Sequence, residues 1–199
     1  MSVKPKAVGW APLAVTVALL VASCTPGATT KSPPKLPVQQ TATCDSADHL
    51  FTDPQLGWSF CYPSTWRYQE RDIATCAVGM PENGSCSDSP PGVDLTLDII
   101  DFSKDPNLSG LFGFMIISTY QRQGASSLQS WTTQYAPQEQ ALQPLTWGNA
   151  AEAAQDGTTG DFFALTGHQV IELELHSGDG NLDLKGSMGQ RLSTWDFTY

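Results

Sequence analysis

Apolar and polar positions alternate in a way that divides the chain into short elements. Trp58, Phe60 and Tyr62 alternate with Ser59 and Cys61, which predicts a strand with one aromatic face. The turn chemistry of Asp53-Pro54-Gln55 precedes it and Pro63 ends it. Residues 67–92 lose all periodicity and end in a run rich in Pro, Gly and Ser, so they read as a long irregular stretch. From Val93 to Phe102 the alternation returns. Val93, Leu95, Leu97 and Ile99 face one way, and Asp94, Thr96 and Asp98 the other. Leu111 to Tyr120 is apolar and rich in β-formers, a second strand. Ser126-Ser127-Leu128-Gln129 then has the form of a capping box. Leu128, Trp131 and Tyr135 follow at helical spacing, so a short amphipathic helix is expected.

Shorter strands follow. Leu142 to Trp147 and Ala150 to Gln155 flank a Gly148-Asn149 turn, and Asp156 to Gly160 is a second turn. Asp161–Thr166 and His168–His176 read as one bent strand, bulged at Gly167. In it Gln169, Ile171, Leu173 and Leu175 share a face, with His168, Val170, Glu172, Glu174 and His176 on the other. Leu184, Met188, Leu192 and Trp195 form one stripe of a C-terminal helix, with Asn181 as its expected N-cap. Clustered strands with few helices predict an α+β fold with an antiparallel sheet.

Composition narrows the function. The 199 residues carry a formal charge of −10. Lys4, Lys6, Lys31 and Lys35 are the only charged residues before Asp45. From Cys44 onward 20 acids face six bases, a balance of −14. Such a domain repels phosphate, which argues against nucleic acid and against a polybasic lipid-binding face.

The basic start reads as an export signal. Lys4 and Lys6 precede Ala7–Ala22, a run without charge that contains Pro12 and ends in Val21-Ala22-Ser23-Cys24. The run is short for a membrane span, which takes about 20 apolar residues, and has the length of a signal core. Residues 24–43 include Pro26, Pro33, Pro34 and Pro37 among Ser, Thr, Gln and Lys, the composition of an extended tether. The expected organisation is therefore 1–23 signal peptide, 24–43 tether and 44–199 globular domain.

Beyond Cys24 the cysteines are Cys44, Cys61, Cys76 and Cys86. In an exported chain they predict two disulfides. Of the three pairings, Cys44–Cys61 and Cys76–Cys86 are favoured. The first pins the chain entry to an early strand, and the second closes the irregular loop. Their spacing lacks a zinc-site pattern.

Two resemblances follow. Val21-Ala22-Ser23-Cys24 resembles the lipobox of bacterial lipoproteins, which implies a diacylglyceryl group on Cys24 and cleavage before it. Gly57-Trp58-Ser59-Phe60-Cys61-Tyr62-Pro63-Ser64-Thr65-Trp66 resembles the opening signature of the PsbP-like superfamily, which includes bacterial lipoproteins of the DcrB and LpqN types. The capped helix, the meander and a closing helix into Trp195-Asp196-Phe197 fit its element order. The resemblance implies an α/β/α sandwich around a central antiparallel sheet, and mostly binding or assembly roles.

Chemical motifs are sparse. Asp179-Gly180-Asn181-Leu182-Asp183 opens like a calcium loop, but Leu184 and Gln190 stand where such a loop needs Gly and Glu. Glu172, Glu174, His176 and His168 share a strand face that Asp94 and Asp98 would join if the strands were neighbours. Side chains two apart on a strand lie about 7 Å apart, so one strand cannot chelate, and a solvated sheet face is the simpler reading. No Gly-x-Ser-x-Gly elbow occurs, and His49, His168 and His176 are the only histidines. Trp147, beside its turn, is a candidate ligand contact or a core residue. The expectation is a non-catalytic, lipid-anchored extracytoplasmic domain without metal or cofactor. It would recognise an envelope protein; the alternatives are a carrier of a small apolar ligand and, less favoured, a hydrolase.

Overall fold

In the computed structural model, residues 43–76, 90, 92–108, 113–139, 141–178 and 182–198 are described. The signal segment, Cys24, the tether to residue 42, Cys86 and Asp179–Asn181 lie outside them. The strands are β1 (Asp48–Asp53), β2 (Trp58–Pro63), β3 (Arg67–Cys76), β4 (Leu95–Ser103) and β5 (Gly113–Gln121). After α1 (Leu128–Tyr135) come β6 (Leu142–Pro144), β7 (Glu152–Asp156), β8 (Phe162–Leu165) and β9 (Gln169–His176). The chain closes with α2 (Leu184–Gly189), a 3-10 turn at Leu192–Thr194, and β10 (Asp196–Phe197).

Two antiparallel sheets form. The larger runs β3-β4-β5-β9-β8-β7-β6 and the smaller β1-β2-β10. The antiparallel, sheet-rich α+β expectation therefore holds. The α/β/α layering needs correction. One face of the large sheet packs Leu95, Tyr120, Phe163, Leu165 and Val170 against Leu128 and Trp131 of α1. The opposite face carries Ile100, Phe102, Met115, Ile117 and Leu173, and it meets Phe51, Trp58, Phe60 and Tyr62 of the small sheet. The second covering layer is thus mostly β, with α2 beside it.

The reason lies in the C-terminal stripe. Leu184, Met188, Leu192 and Trp195 are all buried as a helix would bury them. Yet Gly186 and Gly189 fall within the six residues of α2, and glycine is the poorest helix former after proline. The chain leaves the helix at Gln190, and Trp195 is extended (ψ 139°) so that β10 can pair with β2. Asp183 caps α2, its Oδ1 accepting from the Gly186 N–H at 2.9 Å; the expected cap Asn181 is outside the described residues.

Three other expectations shift. Arg67–Cys76, read as irregular, is an edge strand paired with β4, its register slipping between Glu70 and Asp72. The proposed bulge at Gly167 is a tight turn instead. Leu165 pairs with Val170, and the Thr166 N–H donates to the Gln169 carbonyl at 2.9 Å, so β8 and β9 form a hairpin. The capping box lies one residue later than the sequence suggested, between Ser127 and Ser130.

The disulfide Cys44–Cys61 is present, with Cα atoms 5.6 Å apart. Cys76 is also disulfide-bonded, and its partner lies outside the described residues. At the Gly148 turn (φ 50°) the backbone passes so close to the Trp195 carbonyl that a Cβ would collide with it. Asn149 reads the last strand from the same turn. Its Oδ1 accepts from the Phe197 N–H at 2.7 Å, and its Nδ2 donates to the Phe197 carbonyl at 3.0 Å and to Asp196 at 2.7 Å. Arg191 grips both carboxylate oxygens of Asp48 at 2.9 and 2.8 Å, tying the C-terminal segment to β1. Among the described residues no helix is long and apolar enough to cross a membrane.

Candidate functional site

The most unusual chemistry lies where the small sheet meets the large one. Asp53 ends β1, and its Oδ1 accepts from the Gln55 and Leu56 N–H groups at 2.7 and 2.9 Å. This is the Asx geometry its turn sequence predicts. Asp98 sits in β4 in phase with Ile100 and Phe102, on the face that packs the aromatic core. Glu70, on β3, pairs with Ile100 just before the register slip and stays exposed. Each of the three offers a carboxylate oxygen, all within 4.8 Å of one another. Asp98 is 0% exposed, and neither of its oxygens finds a hydrogen-bond donor in bonding geometry; Asp53 Oδ2 lacks one as well. Burial, aided by the charges of Glu70 and Asp53, pushes the Asp98 carboxyl up to about 7, against a smaller pull from the Ile99 amide. Three such oxygens can share a proton or surround a hard cation.

The grouping expected from sequence does not form. Glu172 pairs with Ser118, which pairs with Leu97, so Glu172 lies on the α1 face. Asp98, one residue on, points to the opposite face. Asp94 lies at the sheet end, where its Oδ2 accepts from Gln121 at 2.9 Å. His168 sits in the β8–β9 turn. His176 stacks on Phe114 (4.6 Å between ring centres) and meets Glu174 at 3.1 Å. Trp147 is a core residue, 1% exposed and edge-on to Trp195.

Glu172 is itself perturbed. Burial pushes its carboxyl up to about 7, with Glu174, Asp161 and Glu139 adding repulsion; the Tyr120 hydroxyl, donating to its Oε2 at 2.7 Å, opposes them. The Tyr120 phenol is pushed well up in turn, by burial and by the Glu172 charge. Between about 4.5 and 7 the folded state therefore holds a proton that the unfolded chain has lost. Stability falls as pH rises through this window. Glu172→Gln, which keeps the acceptor for Tyr120, should match the parent near pH 4 and exceed it by about 2 kcal/mol at pH 8. Urea midpoints at the two pH values check this, and an equal difference at both would refute the assignment.

The histidines do not gather. His49 is on β1 of the small sheet, and His168 and His176 stand before and at the end of β9. An open depression of about 680 Å³ lies between residues 121–126 and 167–169. Its one cation, Arg122, is committed to the carbonyls of Ala125 (2.6 Å) and Thr166 (2.8 Å).

Sequence reasoning missed Asp53, taken only as a turn residue, and Glu70, placed in the irregular stretch. The missed signal for Asp98 was its phase with Ile100 and Phe102, which marks a buried face. No protein-family model matches this chain, and no curated protein or solved structure does either.

Proposed function

We propose that the protein is a lipid-anchored, extracytoplasmic binding or scaffold domain of the bacterial envelope, acylated at Cys24 and recognising a protein partner. The observation that carries this reading is Val21-Ala22-Ser23-Cys24 closing a charge-free run behind two lysines. Two acyl chains hold a soluble domain on a bilayer, at about 0.8 kcal/mol per buried CH2. The tether 24–43 then sets the domain away from the lipid. The domain itself is best read as a divergent PsbP-like fold, in which the small sheet and α2 take the place of a second helical layer. The aromatic β2, the capped α1 and the closing Trp195-Asp196-Phe197 support that kinship.

A protein partner is favoured over a small apolar ligand because the core is filled. Trp58, Trp131, Trp147, Phe60 and Phe163 are all fully buried side chains on the faces where a carrier would need space. The test is mass spectrometry of the protein isolated from its own membrane. The Cys24 peptide is expected to carry acyl mass, and Cys24→Ser should release the chain from the membrane fraction. The native protein should bear no organic molecule that denaturation removes. An unmodified Cys24 would overturn the anchor, and a stoichiometric organic ligand would favour the carrier.

A further inference from the structure

The carboxylates of Asp53, Glu70 and Asp98 come from both sheets, and what they face is unbalanced. Asp98 is fully buried with both oxygens unpartnered. Leaving a buried acceptor unmatched costs about 1–3 kcal/mol, and more for a charged one. Asp98 cannot turn out to water, because pairing with β3 and β5 holds β4 in place and the small sheet covers the face from which Asp98 projects. Asp53 has one oxygen fixed by its turn and the other left over. Glu70 closes the group from the solvent side.

We propose that these three residues form a divalent-cation site, with calcium as its ion, that clips the small sheet to the β3–β4 edge of the large one. The donor set is all oxygen and all carboxylate, which selects a hard cation over zinc or copper. Ligand geometry selects among hard cations. Calcium accepts an irregular set of carboxylate oxygens, and the three oxygens here, all within 4.8 Å of one another, can reach one ion with bonds of about 2.4 Å. Magnesium demands near-ideal octahedral geometry and gives up its water reluctantly. Glu70, being exposed, supplies the entry path and leaves room for water ligands. The ion gives Asp98 the partner its strand denies it.

The proposal does not rest on the lipid anchor, and its test does not involve it. The full chain, stripped with EDTA, is titrated with calcium chloride by calorimetry and melted with and without the metal. One ion per chain is expected. Calcium at about a hundredfold above its dissociation constant should raise Tm by about 5 °C or more, with magnesium giving less. Glu70→Gln changes an exposed side chain and should fold normally while weakening calcium at least about tenfold. Asp98→Asn, which removes a buried charge, should fold and lose the calcium response. Glu174→Gln, distant from the three, should respond like the parent. A parent Tm that ignores calcium would overturn the proposal. So would equal responses from Glu70→Gln and Glu174→Gln, which would reduce the effect to general screening of an acidic surface. Loss of the response in both Glu70→Gln and Asp98→Asn alone would support it.

Discussion

Trp195→Ala is expected to cost about 4 kcal/mol of folding stability, within the 3–5 kcal/mol seen for buried aromatic deletions. Trp195 is 2% exposed. It stacks on Phe60 at 4.6 Å, with Trp147, Trp58 and Phe197 at 5.1, 5.7 and 5.9 Å between ring centres. It therefore joins the small sheet to the Gly148 turn and to the C-terminal strand. The hole it leaves should not close readily. The Trp195 carbonyl already lies against Gly148, and Asn149 fixes Phe197 through its backbone. Its indole N–H has no partner, so Trp195→Phe loses packing alone and should cost about 1–2 kcal/mol. For a domain of this size the alanine variant should melt about 12 °C lower. Equal losses in the two variants would mean that ring volume is not what the site requires.

Strands with an uneven apolar pattern were legible in the sequence, and so was the core. The aromatic face of β2, the apolar run of β5 and the stripe Leu184, Met188, Leu192, Trp195 all predicted burial; the first and last are buried throughout, and in β5 Met115, Ile117 and Tyr120 are buried while Phe114 and Ile116 are half-buried. Elements held by tertiary pairing were not legible. β3 is an edge strand whose sequence, RYQERDIATC, shows no alternation, and β4 supplies what its own side chains do not announce. The turn at Gly167-His168 has no strong hairpin dipeptide, so two strands read as one. The C-terminal stripe gave burial correctly but not helicity. Apolar spacing reports which residues face the core, while the glycines decide whether the backbone between them stays helical.

The candidate site was hidden for a related reason. Alternation in β4 placed Asp98 with Asp94 and Thr96 on a polar face. The large sheet is covered on both sides, however, and the later members of that face are Ile100 and Phe102. A buried acid in phase with them was the available clue. Glu70 had no clue of its own, because its strand was not visible. Asp53 had an adequate local explanation in its turn. The three come together only when the small sheet lands on the large one. No spacing along the chain encodes that meeting.

Removing the Cys44–Cys61 disulfide by replacing both cysteines with alanine is expected to cost about 3 kcal/mol. The bridge closes a loop of sequence separation 17, and loops of about 15 residues carry close to that figure in the chain-entropy account. The closed segment contains β1 and its turn into β2, so the bridge fixes the hairpin that supplies Phe51 and Asp53. Cys61 is 0% exposed, and its N–H donates to Thr194 Oγ1 at 3.1 Å; alanine keeps that backbone contact. Mutation is a cleaner test than reduction, because a reductant would also open the bond at Cys76. Urea unfolding separates the two places where the loss can arise. If the bridge works by restricting the unfolded chain, the variant should show a lower midpoint together with a larger m value, since the freed chain exposes more surface. An unchanged m with the same loss would move the effect into the native state, where the β1–β2 hairpin packs on the large sheet. A loss below about 1 kcal/mol would mean that the hairpin is held by Phe51, Phe60 and the Arg191–Asp48 pair rather than by the covalent link.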